Sequence, residues 1–237
     1  MIKAIIFDKD GTILELGATW DEPTVIAFNR LMELTDLTTA EAKAYGEKLG
    51  IVDGNILPNS LFAAGSVLEQ AEELSKVVPL SIEVINDSLE QDYLNFAKSA
   101  DVKSLIVKGT EELLKYLKDQ NYIIGLVTND QRDITNVMLE SSELISYFDF
   151  IGCADDYHAK PNPAALHEIA KRFDLTLDEM VYVGDSAVDM EYAKFTAAGI
   201  GVAYEEDHRD HVREANYIVS ELSVIPEIIE ALNKIEK

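Results

Sequence analysis

Cysteine occurs once in the 237 residues, at Cys153, so no intrachain disulfide can form, and a reducing, cytoplasmic setting is expected. Positive charge is scarce: 20 Lys and Arg stand against 44 Asp and Glu, a formal net charge of −24. That balance leaves little for a basic face that could neutralise a run of phosphates, so nucleic acid and anionic membrane are not expected partners. Twelve Gly and six Pro are too few for a fibrous repeat or a Pro/Gly-rich disordered chain. No apolar run approaches the roughly 18 residues of a membrane-crossing helix. The opening MIKAIIFDKD meets acidic residues too early for a secretory leader. What remains is ordinary for a soluble globular chain, 47% hydrophobic and 27% charged, with a length that allows one large domain or two modest ones.

The chain divides by pattern. Residues 3–7 (KAIIF) are a short apolar run that ends in acids and Gly-Thr, the signature of a buried strand with a loop at its carboxyl end. Residues 15–100 show almost no strand pattern and read as an all-helical block of about four helices. Asp21-Glu22-Pro23 looks like a helix start, Thr38-x-x-Glu41 is a capping-box pattern, Ser60 is positioned to cap a helix through Val77, and Ser81 to cap another. From about Asp101 the chain alternates. Strands are expected at 122–127, 150–153, 181–183, 200–203 and 217–219. Helices are expected at 110–120, 130–140, 164–173, 186–197 and 226–235. Strands alternating with helices mean βα units and a parallel sheet. The fold class expected is α/β: a doubly wound, Rossmann-like parallel sheet core (residues 1–14 and 101–237) with an inserted all-helical cap (residues 15–100).

Four polar groups each follow a predicted strand: Asp8-Lys9-Asp10-Gly11-Thr12, Thr128-Asn129-Asp130, Lys160-Pro161, and Gly184-Asp185-Ser186-Ala187-Val188-Asp189. In an open parallel sheet the carboxyl ends of the strands lie along one edge, where ligands bind, so these groups converge. Carboxylates without a His or Cys cluster favour a hard cation such as Mg²⁺. A lysine and a threonine hydroxyl beside such a cation suit a phosphate. A loop carboxylate can act as a nucleophile, and a second one two residues on can exchange a proton with the leaving group.

With these four groups in this order, the sequence resembles the haloacid dehalogenase-like hydrolase superfamily, and within it the phosphoglycolate phosphatase-like and β-phosphoglucomutase-like members with a helical cap after the first motif. The resemblance implies Asp8 as nucleophile and Asp10 as general acid, then base. It implies Thr128, Lys160, Asn129 and Gly11 around the phosphoryl group. Asp8, Asp185 and the backbone carbonyl of Asp10 would be Mg²⁺ ligands, with Asp189 orienting Lys160 or a metal-bound water. Gly184 would allow a tight turn beside the phosphate. The implied activity is a Mg²⁺-dependent phosphatase for a small phosphorylated metabolite, phosphoglycolate-like or a sugar phosphate, working through an aspartyl phosphate. A phosphomutase using the same intermediate is the alternative, and a non-catalytic binding protein a more distant one. The expected partner is the metabolite, with the chain a monomer or weak homodimer.

Other residues have plainer readings. Cys153 is a buried small hydrophobe. Trp20, Phe28 and Met32 belong to the core of the helical block, Arg30 to a helix surface, and His158 to a solvated loop. Residues 50–60 (GIVDGNILPNS) are either a connection or a substrate contact.

Overall fold

All four residues of AIIF are buried, as a strand covered by helices on both faces must be. In the computed structural model, which describes residues 1–235, this strand is β1 (Ala4–Phe7). It is followed by α1 (Leu16–Met32), α2 (Thr39–Leu49), β2 (Ile51–Val52), β3 (Asn55–Ile56), α3 (Leu61–Ala64), α4 (Val67–Leu74) and α5 (Ile82–Ser99). The chain continues through α6 (Thr110–Asp119), β4 (Ile123–Val127), α7 (Arg132–Ser141), β5 (Phe150–Gly152) and α8 (Ala164–Phe173). It ends with β6 (Met180–Gly184), α9 (Ala187–Ala193), β7 (Ala198–Val202), β8 (Tyr217–Val219) and α10 (Ile225–Ile235). Glu236 and Lys237, the end of the expected core, lie outside the described residues.

Six strands form one parallel sheet in the order β5-β4-β1-β6-β7-β8. Alternation along β1 divides the core. Ile5 and Phe7 join a cluster with Leu113 of α6, Met138 of α7 and Ile229 of α10. Ala4 and Ile6 join Leu166 and Ile169 of α8 and Tyr192 of α9 on the other face. The sheet is therefore doubly wound. The strand order reverses at β1, with β4 on one side and β6 on the other, which is where such sheets open a crevice.

The block between β1 and α6 differs from expectation in three places. It is not all-helical: β2 and β3 pair as an antiparallel hairpin, Val52 opposite Asn55. Its two-residue turn is Asp53-Gly54, both at positive φ (49° and 84°), and Asp-Gly is the dipeptide that such a turn favours. The helix expected from Ser60 through Val77 is two helices. Gly65 ends the first and Ser66 caps the second, its hydroxyl accepting from Glu69 N–H while the Glu69 carboxylate accepts from Ser66 N–H. Finally, α1 begins at Leu16, ahead of Pro23, because the added turn buries Thr19 and Trp20. Proline costs a helix one hydrogen bond, and burial of the tryptophan offsets it.

Candidate active site

The loops after β1, β4, β5 and β6 meet in a cavity of about 50 Å³. Asp8, Asp10, Thr128, Asn129, Lys160 and Asp185 all line it, so the groups expected to converge do so. Gly11 and Asp189 stand immediately behind. A Cβ on Gly11 would lie 2.1 Å from Asp185 Oδ2, and its φ is +74°, so only glycine lets the two loops come this close.

Lys160 is almost fully buried between two acids, its Nζ 2.7 Å from both Asp8 Oδ1 and Asp189 Oδ1. Burial opposes the ammonium charge, but Asp189 and Asp8 together raise its pKa above the ordinary lysine value. Asp189, on the first turn of α9, is saturated. Its Oδ1 accepts from Lys160, while Oδ2 accepts from the Asp185 and Ser186 N–H groups and the Ser186 hydroxyl. It therefore holds Lys160 and the Asp185 loop in place and has no lone pair directed at a ligand. Gly184 is required by this arrangement, since a Cβ there would lie 2.4 Å from Asp189 Cβ. The Tyr182 hydroxyl, 3.0 Å from both Lys160 Nζ and Asp189 Oδ1, completes the cluster from inside β6.

Lys9 was not among the expected site residues. Its side chain is fully buried, with Nζ 2.5 Å from Asp10 Oδ2, 2.9 Å from Asp130 Oδ2 and 5.3 Å from the Trp20 ring centre. Asp10 is thus anchored by one oxygen, while its Oδ1 is buried without a hydrogen-bond partner among the described residues. Burial raises the Asp10 pKa, and Lys9 limits the rise. A buried lysine touching two acids was legible only as the variable position of a D-x-D motif.

Thr128 is buried, its Oγ1 accepting from Asp130 N–H at 3.1 Å, which leaves its own proton to donate. Asn129 spends its side chain on the backbone around it. Its Oδ1 accepts from Lys160 N–H at 2.7 Å, and its Nδ2 donates to the Ala64 carbonyl at 2.9 Å. That bond ties the site to α3. Asn59 does the same from the loop after β3, its Oδ1 accepting from Ala187 N–H at 2.7 Å. Residues 50–60 thus contact the catalytic edge.

Asp8, Asp185 and Asp189 bring carboxylate oxygens within 4.8 Å of one another. Burial and the charge of Asp189 push Asp8 up to about 7. Burial and the charges of Asp189 and Asp8 push Asp185 well above the carboxylate range. Two hard oxygen donors that repel each other in a buried site fit a divalent cation such as Mg²⁺, which would relieve the repulsion. With Asp189 saturated, Asp8 and Asp185 are the side chains that can hold it.

The linkage gives a prediction. An acid with a raised pKa binds more protons folded than unfolded, so stability falls as pH rises from the ordinary carboxylate value toward 7. The raised lysines do not titrate in this window. Chelated protein should melt lower at about pH 8 than at about pH 5, and added Mg²⁺ should raise Tm more at the higher pH. Thermal melts at both pH values check this; an equal Mg²⁺ effect would contradict it.

Cys153 is buried, with its thiol pushed up to about 12 by burial, as a small hydrophobe would be. Arg30 lies on the surface, bonded to Asp92 and to Ser88. No helix among the described residues is long and apolar enough to cross a membrane.

Residues 5–205 match the haloacid dehalogenase-like hydrolase family. The chain is 26% identical over 232 residues to a phosphoglycolate phosphatase of Vibrio parahaemolyticus, covering 96% of each. It is 27% identical over 239 residues to one of Nitrosospira multiformis, covering 100% of this chain and 96% of the relative. A β-phosphoglucomutase structure from Clostridium difficile superposes with a TM-score of 0.73 at 21% identity, covering 99% of both chains. A predicted phosphoglycolate phosphatase from Haemophilus somnus gives 0.70 at 18%, covering 96% of this chain and 98% of that one. These two likenesses bear on the fold. The sequence match spans most of the chain and includes all four loops that build the cavity: this protein belongs to the haloacid dehalogenase-like hydrolase family.

Proposed function

We propose that the protein is a Mg²⁺-dependent phosphatase that hydrolyses a small phosphorylated metabolite through an aspartyl phosphate. The observation that carries this reading is the pairing of Asp8 with Lys160 at 2.7 Å in a cavity also lined by Asp10, Thr128 and Asp185. The relatives named phosphoglycolate phosphatase support the reaction class. Residues 15–100 act as the cap, and residues 1–14 with 101–237 as the catalytic core.

Asp8 attacks phosphorus, and the Asp8–phosphorus bond forms as the ester bond breaks. Asp10 delivers its proton to the departing alkoxide, giving the free alcohol. Lys160 and the Thr128 hydroxyl hold the transferring phosphoryl oxygens, and Asp189 keeps Lys160 aimed at them. In the second step Asp10 takes a proton from water as the water attacks phosphorus. Inorganic phosphate leaves and Asp8 is regenerated. Mg²⁺, held by Asp8, Asp185 and the Asp10 carbonyl, would supply positive charge against the phosphoryl oxygens. The cap, joined to the site through Asn59 and Ala64, excludes water during transfer.

The test separates the two acids. Asp10→Asn should still accept phosphate from p-nitrophenyl phosphate, whose leaving group needs no proton, and then stall before hydrolysis. Rapid mixing should release at most about one p-nitrophenolate per enzyme, and alkyl phosphates should give no burst. Near-normal steady-state turnover of alkyl phosphates by this variant would remove Asp10 from its role. With β-glucose 1-phosphate, release of phosphate rather than formation of glucose 6-phosphate separates phosphatase from mutase.

A further inference from the structure

We infer that the alcohol released by this enzyme is short and uncharged, so that the substrate is the monophosphate of a neutral alcohol or small polyol and not of a hydroxy acid. The inference rests on the phosphatase reading above and concerns the wall facing the catalytic loops. That wall comes from the inserted block, with Trp20 and Thr24 from α1, Phe62 from α3, Val67 and Gln70 from α4, and Tyr93 from α5. None of them is a cation.

The cations of the block are elsewhere. Its one arginine, Arg30, is bonded to Asp92 and Ser88 on the surface. Lys43, Lys48 and Lys76 pair with Glu47, Glu73 and Glu73, and Lys98 is exposed. Among the described residues that line the cavity, the only cation is Lys160, already held between Asp8 and Asp189. Lys9, beneath Asp10, is held by Asp10 and Asp130.

Four carboxylates, Asp8, Asp10, Asp130 and Asp185, face the same space. A leaving group with its own carboxylate would be desolvated without a cation to pair with and would meet like charge. A hydroxyl has partners instead. Gln70 is buried with its Oε1 accepting from Tyr93 OH at 2.9 Å, and its Nε2 makes only a 3.4 Å contact with the Gly65 carbonyl. Thr24 is buried beside it. A neutral oxygen can accept from the Gln70 amide while aliphatic carbons rest on Trp20, Phe62 and Val67.

Size points the same way. About 50 Å³ is on the order of four water positions, room for a phosphoryl group and a few further atoms. The larger neighbouring cleft, about 570 Å³, contains Lys108, His208 and His211, but it lies on the Gly11 and Asp185 side. Asp10 does not line that cleft, so a leaving oxygen within its reach faces the smaller cavity.

The experiment compares kcat/KM for phosphate release from 2-hydroxyethyl phosphate and 2-phosphoglycolate, with Mg²⁺ present and p-nitrophenyl phosphate as reference. The neutral ester is expected to be favoured by at least about tenfold, each tenfold corresponding to about 1.4 kcal/mol. Equal rates, or preference for 2-phosphoglycolate, would overturn the inference while leaving the phosphatase reading intact. No phosphate from any of the three would overturn that reading and the inference with it. Gln70→Lys, or Thr24→Lys should the first fail to fold, places a cation on this wall and should move the ratio at least about tenfold toward 2-phosphoglycolate. A folded variant with an unchanged ratio would count against the assignment of this wall to the leaving group.

Discussion

Asp8→Asn is expected to reduce turnover of every phosphate ester by at least about 10³-fold, because an amide cannot form the acyl phosphate on which both half-reactions depend. The loss should not depend on the leaving group, unlike that of Asp10→Asn, since every ester needs the attacking carboxylate whatever alcohol departs. Folding should survive. Lys160 keeps Asp189 and Tyr182 as partners. The substitution also removes a carboxyl that burial and Asp189 hold up near 7. At about pH 8 without Mg²⁺, Asp8→Asn should therefore melt above the parent protein while being inactive. Steady-state phosphate release and a thermal melt on one preparation check both halves. Residual turnover within about tenfold of the parent would transfer the nucleophile's role to another acid.

Lys9→Met is expected to cost stability. The lysine side chain is fully enclosed and faces Asp10 and Asp130 together, so methionine of similar length leaves one largely buried and one half-buried acid without their cation. Breaking a buried ion pair on one side typically costs about 3–5 kcal/mol. Protonation of the orphaned acids should soften the loss at low pH, making the deficit larger near pH 8 than near pH 5. Urea unfolding at both pH values measures this; an unchanged midpoint would mean that Lys9 is dispensable. Any activity that remains should fall most for alkyl phosphates, since Asp10 would lose the anchor on its Oδ2.

What was readable beforehand, and what was not, follows the range of each signal. The strands were legible because a strand buried on both faces must be written as consecutive apolar residues, as in AIIF and MVYV. The convergence of the polar groups on one sheet edge was legible because each lies in the loop that follows one of those runs. The β2–β3 hairpin was signalled by Asp53-Gly54 but hidden by strands of two residues, too short to show alternation. The division at Gly65-Ser66 was written as Ser-x-x-Glu and was outweighed by continuous helical periodicity around it. Lys9 could not be read in this way. Its burial depends on Asp130 and Trp20, which are remote in sequence, and lysine is ordinarily an exposed residue. The uncharged character of the wall from the inserted block is likewise a property of which helix faces meet.

The position of β1 in the sheet also governs how the chain can assemble. Both of its neighbours, β4 and β6, come from far later in the sequence, with six α-helices between β1 and the nearer of them, β4. During synthesis the AIIF segment therefore waits without a pairing partner until residues 123–127 at least have emerged. Helices α4 and α5, which pack on each other, need only local chain and can form in the interval. Asp8 is thus attached to a segment whose edges stay open through much of translation, and closure of the sheet around it rests on contacts of high sequence separation. A chain arrested before β6 would leave one edge of a fully apolar strand exposed, a surface suited to chaperone capture or aggregation.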